Sequence, residues 1–222
     1  MMVARRRTAS PTASALAVGS RIGAEPILKF DRRFDGEPDT VRIGDDMFLF
    51  GPPPARLGED VAVSAFEGAL ANAALADFFR LWRELVRGES VPTRTRMTPQ
   101  RLRRHLPWVG IMELAAAGDE VRVRLLGTAL TELLGREGRG KALRDLIPRA
   151  NAVELMTRIW QPFFTNAAPR LDIGTLAILD RSHVRYRALH VPVADDAGHV
   201  RFSYFRVLTN LDEEGSFGAG AD

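Results

Sequence analysis

The stretch from Trp108 to Thr128, WVGIMELAAAGDEVRVRLLGT, constrains the fold more than any other part of the chain. Val121, Val123 and Leu125 alternate with Glu120, Arg122 and Arg124, and this period of two marks a strand with one buried and one wet face. An apolar strand precedes it, and Ala117-Gly118-Asp119 supplies the turn chemistry between them, so the segment predicts a β-hairpin. Gly127 ends the second strand, and Thr128 is placed to N-cap a short helix through Leu130, Leu133 and Leu134 that stops at Gly135. The unit holds no evident catalytic group. It predicts the wall of a container rather than a reaction centre.

Composition matters mainly for what it excludes. Zero cysteines rule out disulfides, thiolate metal sites, a cysteine nucleophile and cysteinyl adducts of flavins or chromophores. The pI near 9.9 is not a nucleic-acid signal by itself. Only Lys29 and Lys141 are lysines and the other basic residues are arginines, so a small excess of base moves the pI far. That excess sits at the start: Arg5, Arg6, Arg7 and Arg21 against Glu25 give residues 1–26 a net charge of +3, which equals the formal charge of the whole chain. No apolar run approaches the roughly 20 residues that cross a bilayer. Ala13–Val18 is too short and too polar for a secretory apolar region, so a cytoplasmic protein is expected.

At 222 residues the chain suits one well-cored domain with extensions. Residues 1–26 carry almost no large apolar side chains and read as a disordered basic arm. Residues 27–63 read as an extension and Pro-rich linker, with Thr40–Ile43 and Met47–Phe50 as a short hairpin before Gly51-Pro52-Pro53-Pro54. Residues 64–90 form a flanking helix, with Leu75, Phe78, Phe79, Trp82, Leu85 and Val86 along one side; that stripe either covers the domain's own sheet or dimerises. Thr98-Pro99 opens a further short helix. Beyond the hairpin the chain is helical, and Asn151 is placed to cap a longer helix whose apolar face is Val153, Met156, Ile159, Trp160, Phe163 and Phe164, bent or ended by Pro162. Leu171–Leu179, Val184–Val193 and His199–Thr209 close the chain as an antiparallel meander, and residues 211–222 are a flexible tail.

Candidate chemistry is sparse. His105, His183, His190 and His199 form no His-x-x-x-His or Glu-x-x-His pair, so spacing gives no metal site. Glu113 interrupts an apolar strand and is either a buried acid needing a partner or the wet end of that strand. Arg94, Arg96, Arg101, Arg103 and Arg104 are the densest basic patch outside the arm. No aromatic residues interleave with them as a base-stacking surface requires, so a solvated helix face is preferred to phosphate contact. The glycines at 135, 138 and 140 do not directly follow a strand and lead into no Gly-Lys-Ser or Gly-Lys-Thr, which discounts a nucleotide loop.

The order of elements, a helix, two strands, short helices and a three-stranded meander, resembles that of a PAS domain. Trp82, Leu85 and Gly88, Pro92 and Arg94, Pro99, Leu106-Pro107-Trp108 and Val123-Arg124-Leu125-Leu126-Gly127-Thr128-Ala129-Leu130 with Gly135 and Gly140 resemble the alphaproteobacterial PAS-like family of single-domain proteins. Leu189-His190-Val191-Pro192-Val193 with Asp195-Asp196 resembles that family's penultimate strand, and the resemblance spans about residues 75–210. It implies an α+β fold: a PAS-like five-stranded antiparallel sheet over residues 91–210 with helices on one face. It also implies a sensory or protein-contact role, often dimeric, and no common ligand or cofactor. The long helix lacks the axial histidine a haem-holding PAS domain uses. The preferred reading is a non-enzymatic module whose small-ligand wall is Met156, Trp160 and Phe164 facing Tyr204 or Phe205, with Glu113 and His190 as its polar candidates. Its partners would be a second copy, through the 75–87 helix, and a signalling protein. The alternatives are nucleic-acid association through the arginines, and a small enzyme using Glu113 and His190.

Overall fold

The computed structural model describes residues 38–88 and 90–211. Within them a single antiparallel sheet takes the order β1-β2-β5-β6-β7-β3-β4. Five contiguous strands, running to the β4 edge, are β3 (Val109–Leu114), β4 (Val121–Leu126), β5 (Arg170–Leu176), β6 (Arg181–Ala194) and β7 (Val200–Thr209). These are the five strands expected from the hairpin and the meander. The remaining two, β1 (Asp39–Ile43) and β2 (Asp46–Phe50), are the short hairpin of the extension, and β2 continues the sheet by pairing with β5. The proposed basic arm and almost all of the tail lie outside the described residues.

One face of the sheet is covered by α1 (Asp60–Leu70) and α2 (Ala73–Leu85). The sequence suggested one helix from Ser64; the chain instead turns at Ala71 in the left-handed region, and Asn72 restarts it by accepting from the backbone N–H groups of Ala74 and Leu75. Leu75, Phe78, Phe79 and Trp82 are fully buried against Leu171, Leu189, Val191 and Val193. The Trp82 indole donates to the Pro192 carbonyl at 2.8 Å. The apolar stripe of 75–87 is therefore spent on its own sheet, each large side chain contributing about 1.5–3 kcal/mol, and it is not a free dimer surface.

The other face is covered by α6 (Arg149–Leu155) and α7 (Gln161–Asn166), joined through a wide π turn at Met156–Trp160. Pro162 has no N–H, and its ring crowds the carbonyl four residues back, so a plain α ladder fails there. The Gln161 N–H instead bonds the Met156 carbonyl five residues back. The extra residue resets the helical phase. Trp160 and Phe163 keep the inward positions expected of them, but Ala152 faces in at 3% exposure and Val153 faces out at 61%. The short helices α3 (Pro99–Leu102), α4 (Thr128–Leu134) and α5 (Leu143–Leu146) fill the connections. Gly127, rather than Thr128, occupies the N-cap of α4.

Candidate functional site

Directly paired residues of antiparallel strands share a face, so register alone lines up one row across the sheet. Phe50 pairs with Arg170, Arg170 with His190, His190 with Phe205, and Phe205 with Gly110. All lie on the face beneath α6 and α7. Phe205 stacks flat on His190, with ring centroids 4.9 Å apart, and leans over Gly110, where any Cβ would collide with its ring.

Asp172, two residues from Arg170 and so on the same face, takes a bidentate pair from the guanidinium, at 2.5 Å from Nε and 2.8 Å from Nη2. Its Oδ2 also lies 3.2 Å from His190 Nε2, and His190 Nδ1 lies 2.9 Å from Ser203 Oγ. The helix seals this chain of groups. Trp160 lies over the guanidinium at 4.4 Å, Phe163 at 5.3 Å, and the Trp160 ring meets His190 edge-on at 5.3 Å. Arg170, Asp172, His190 and Ser203 are all buried, and Arg170 Nη1 has no hydrogen-bond partner among the described residues.

Burial of this depth penalises every charged form. It lifts Asp172, but Arg170 and His190 together outweigh it and hold the carboxyl below its ordinary value. For His190, burial and the Arg170 charge outweigh Asp172 and depress the imidazole. The ring is thus neutral at pH 7, bridging a carboxylate and a hydroxyl. Ser203, His190 and Asp172 share the residue types of a hydrolase triad but not its working parts: Ser203 is fully buried, and Asp172 is already neutralised by Arg170.

Trp160 and Phe164 belong to the cluster on this face, with Phe205 and Met156 packed against it, so four of the expected wall residues lie there with His190. Tyr204 does not. It points to the α1–α2 face, as does Glu113, whose cross-strand partner is Phe202. Glu113 is partly exposed, 3.1 Å from Arg124 and 3.9 Å from Arg201, so it is an ion-paired acid at the end of its strand. It lies across the sheet from His190, and the two do not form a site. In the 94–104 patch, Arg104 pairs with Asp77 at 3.2 Å, while Arg101 and Arg103 are exposed.

Arg170, Asp172 and Ser203 are not among the residues singled out from the sequence, because polar residues alternating with apolar ones on a strand read as solvent-facing. The available signal was an arginine and an aspartate two residues apart, flanked by Leu171 and Ile173, on a strand with a histidine neighbour. Beside the cluster, a recess of about 280 Å³ opens between β4 and the helices, lined by Val121, Leu143, Met156, Thr157 and Gln161. Buried Glu120 stands at its rim, paired with Arg122 and Arg144. No group of three or more His, Asp or Glu side chains suited to a metal ion occurs among the described residues.

The five contiguous strands β3–β7 and the helices on the sheet define a small α+β module built to enclose side chains against that sheet. The family model described as PAS domain matches residues 70–204, and the chain belongs to the PAS domain family. β1, β2 and almost all of α1 lie outside that match. A solved structure of an RNA-binding light-oxygen-voltage receptor is similar, at 18% identity and a TM-score of 0.36, over 70% of this chain and 50% of that one. The chain thus spans about half of that receptor's length. No curated protein matches. No helix among the described residues is long and apolar enough to cross a membrane.

Proposed function

We propose that this PAS domain is a cytoplasmic sensory or regulatory module without chemistry of its own, which reads the state of its α6–α7 face and passes it on through a protein contact. The observation that carries this reading is the buried Arg170–Asp172–His190–Ser203 chain beneath Trp160. Buried ion pairs are weak stabilisers, so one at the centre of a face suggests a specifying or switching role. A small ligand would enter through the recess at Met156, where the π turn gives the helix a ladder that can re-register, and Arg170 Nη1 would be the donor on offer to a polar one. A homodimer would use a surface other than the apolar stripe of α2.

Native mass spectrometry of the purified chain tests this, since it reports retained small molecules and oligomeric state together. The reading expects a retained molecule that Trp160→Ala releases. If Trp160→Ala leaves both the retained mass and the melting temperature unchanged, the wall at Trp160 is dismissed.

A further inference from the structure

The face under α1 and α2 stays open at its β3–β4 end. There Ile111, Leu125, Phe202 and Tyr204 contribute to a recess of about 310 Å³, on the opposite side of the sheet from the His190 cluster. Leu125 is 39% exposed, unusual for a leucine in a strand. The other principal lining groups are cationic: Arg94, Arg124 and Arg139, with no carboxylate among the lining residues.

These guanidiniums are unequally satisfied. Arg124 is paired with Glu113. Arg94 and Arg139 make no ion pair among the described residues. Arg94 lies over the Phe202 ring at 4.8 Å and lines the recess with Tyr204, so it is laid along the apolar floor. Its backbone is fixed, because its N–H donates to the Ala194 carbonyl at 3.1 Å. Arg139 stands on a loop clamped to β4: Gly140 donates to the Val123 carbonyl at 2.7 Å, and Val123 to that of Lys141 at 2.9 Å. Gly140 sits at φ +79°, a left-handed position that lets the loop fold back onto the strand.

Like charges on a concave apolar wall repel one another, and the wall focuses their field outward, so the arrangement favours an anion. Guanidinium forks match a carboxylate in shape as well as charge. The floor offers ring and aliphatic surface for a flat apolar body, and the volume lies at the small end of ligand pockets. We propose that this recess is a binding site for a small organic acid, with its carboxylate facing Arg94 and Arg139 and its apolar body on Leu125 and Phe202. The site is independent of the one beneath Trp160.

Calorimetric titration of the full chain with 2-naphthoate, its neutral amide 2-naphthamide and inorganic phosphate tests the proposal. The acid should bind at least about tenfold more tightly than either the amide or phosphate, because it alone uses both guanidiniums and floor. Arg94→Gln/Arg139→Gln should weaken 2-naphthoate by about tenfold or more while leaving the melting temperature in place, since both side chains are exposed. Leu125→Asp should do the same through the floor, and Trp160→Ala should leave the affinity unchanged. Equal binding of acid and amide, phosphate matching the acid, no binding of the acid by about 5 mM, or indifference to the arginine changes would each overturn the site. Loss on Trp160→Ala alone would place the acid on the other face and equally overturn it.

Discussion

Two Arg–His–Asp groups lie on opposite faces of this sheet, built from the same residue types. On the α6–α7 face, Arg170, His190 and Asp172 are all buried and joined at 2.5–3.2 Å beneath Trp160 and Phe163. On the α1–α2 face, Arg206 Nε donates to His105 Nδ1 at 3.2 Å, and His105 Nε2 lies 3.5 Å from Asp77, whose side chain is 24% exposed and also meets Arg80 and Arg104. Both imidazoles are held neutral. Burial, Arg206 and Arg104 outweigh Asp77 and take His105 down to about 4. The difference lies in the carboxylate. Asp77 keeps contact with water and shares two exposed arginines, Arg80 and Arg104, at the rim, whereas Asp172 answers one buried arginine at the centre. The first group trims a dry core; the second makes its face depend on charge.

Removing each carboxylate should expose that difference most sharply. Asp172→Ala leaves Arg170 buried and unpaired and should cost about 3–5 kcal/mol in urea denaturation. Asp77→Ala should cost about 1 kcal/mol or less, because its partners are exposed or already engaged. Equal losses would erase the distinction. Replacing both charges, as Arg170→Met/Asp172→Leu, should leave stability within about 1 kcal/mol of the parent or raise it, since the desolvation cost goes with the charges. A double variant as damaged as Asp172→Ala would assign the pair to stability alone.

Acid should act next. His105 and His190 have folded values below the ordinary 6.5, so the unfolded chain binds their protons first, and stability is lost as pH falls below about 6.5 toward 4. Asp172 works in the same direction at lower pH, because its depressed folded value means stability is lost as the carboxylate protonates. Denaturation midpoints should therefore fall between pH 7 and 4, by an amount worth about 2–3 kcal/mol. Replacing His105 with glutamine should flatten part of that slope. A midpoint constant across this range would mean the imidazoles are not enclosed.

Packing around the row gives smaller, local effects. Gly110→Ala sets a Cβ against the Phe205 ring and should cost about 1–3 kcal/mol by overpacking. The π turn supplies the finest comparison. Val153→Gln should change stability by less than about 0.5 kcal/mol, whereas Ala152→Gln, one residue earlier, should cost more than about 1 kcal/mol by burying an amide. The reverse order would remove the phase shift.

Most of the five strands β3–β7 were legible in the sequence, because alternation and turn residues at 108–128 and 171–209 act locally. The aromatic stripes of α2 and of 149–166 were equally legible, since large side chains at helical spacing need a surface to cover. Two things were not. Alternation separates the two faces of a strand but does not say that either is wet. With helices on both sides, Leu171 and Asp172 are both buried, and the polar residue became a centre rather than a surface. Nor does residue spacing reveal a π turn, so Val153 was assigned inward on a ladder that Pro162 disrupts. The faces of Tyr204 and Glu113 stayed open for a related reason: face membership depends on register, and one residue reverses it.

The most direct test of the account is the titration of the His190 imidazole followed by NMR. Enclosed between Asp172, Ser203, Phe205 and Trp160, the ring should be neutral at pH 7, with its midpoint depressed below the ordinary 6.5 by burial and by Arg170. In Asp172→Asn it should fall further, because the one group favouring the charged ring is gone. A midpoint at or above the ordinary value in the parent, unmoved by Asp172→Asn, would contradict the buried cluster on which the proposed function rests.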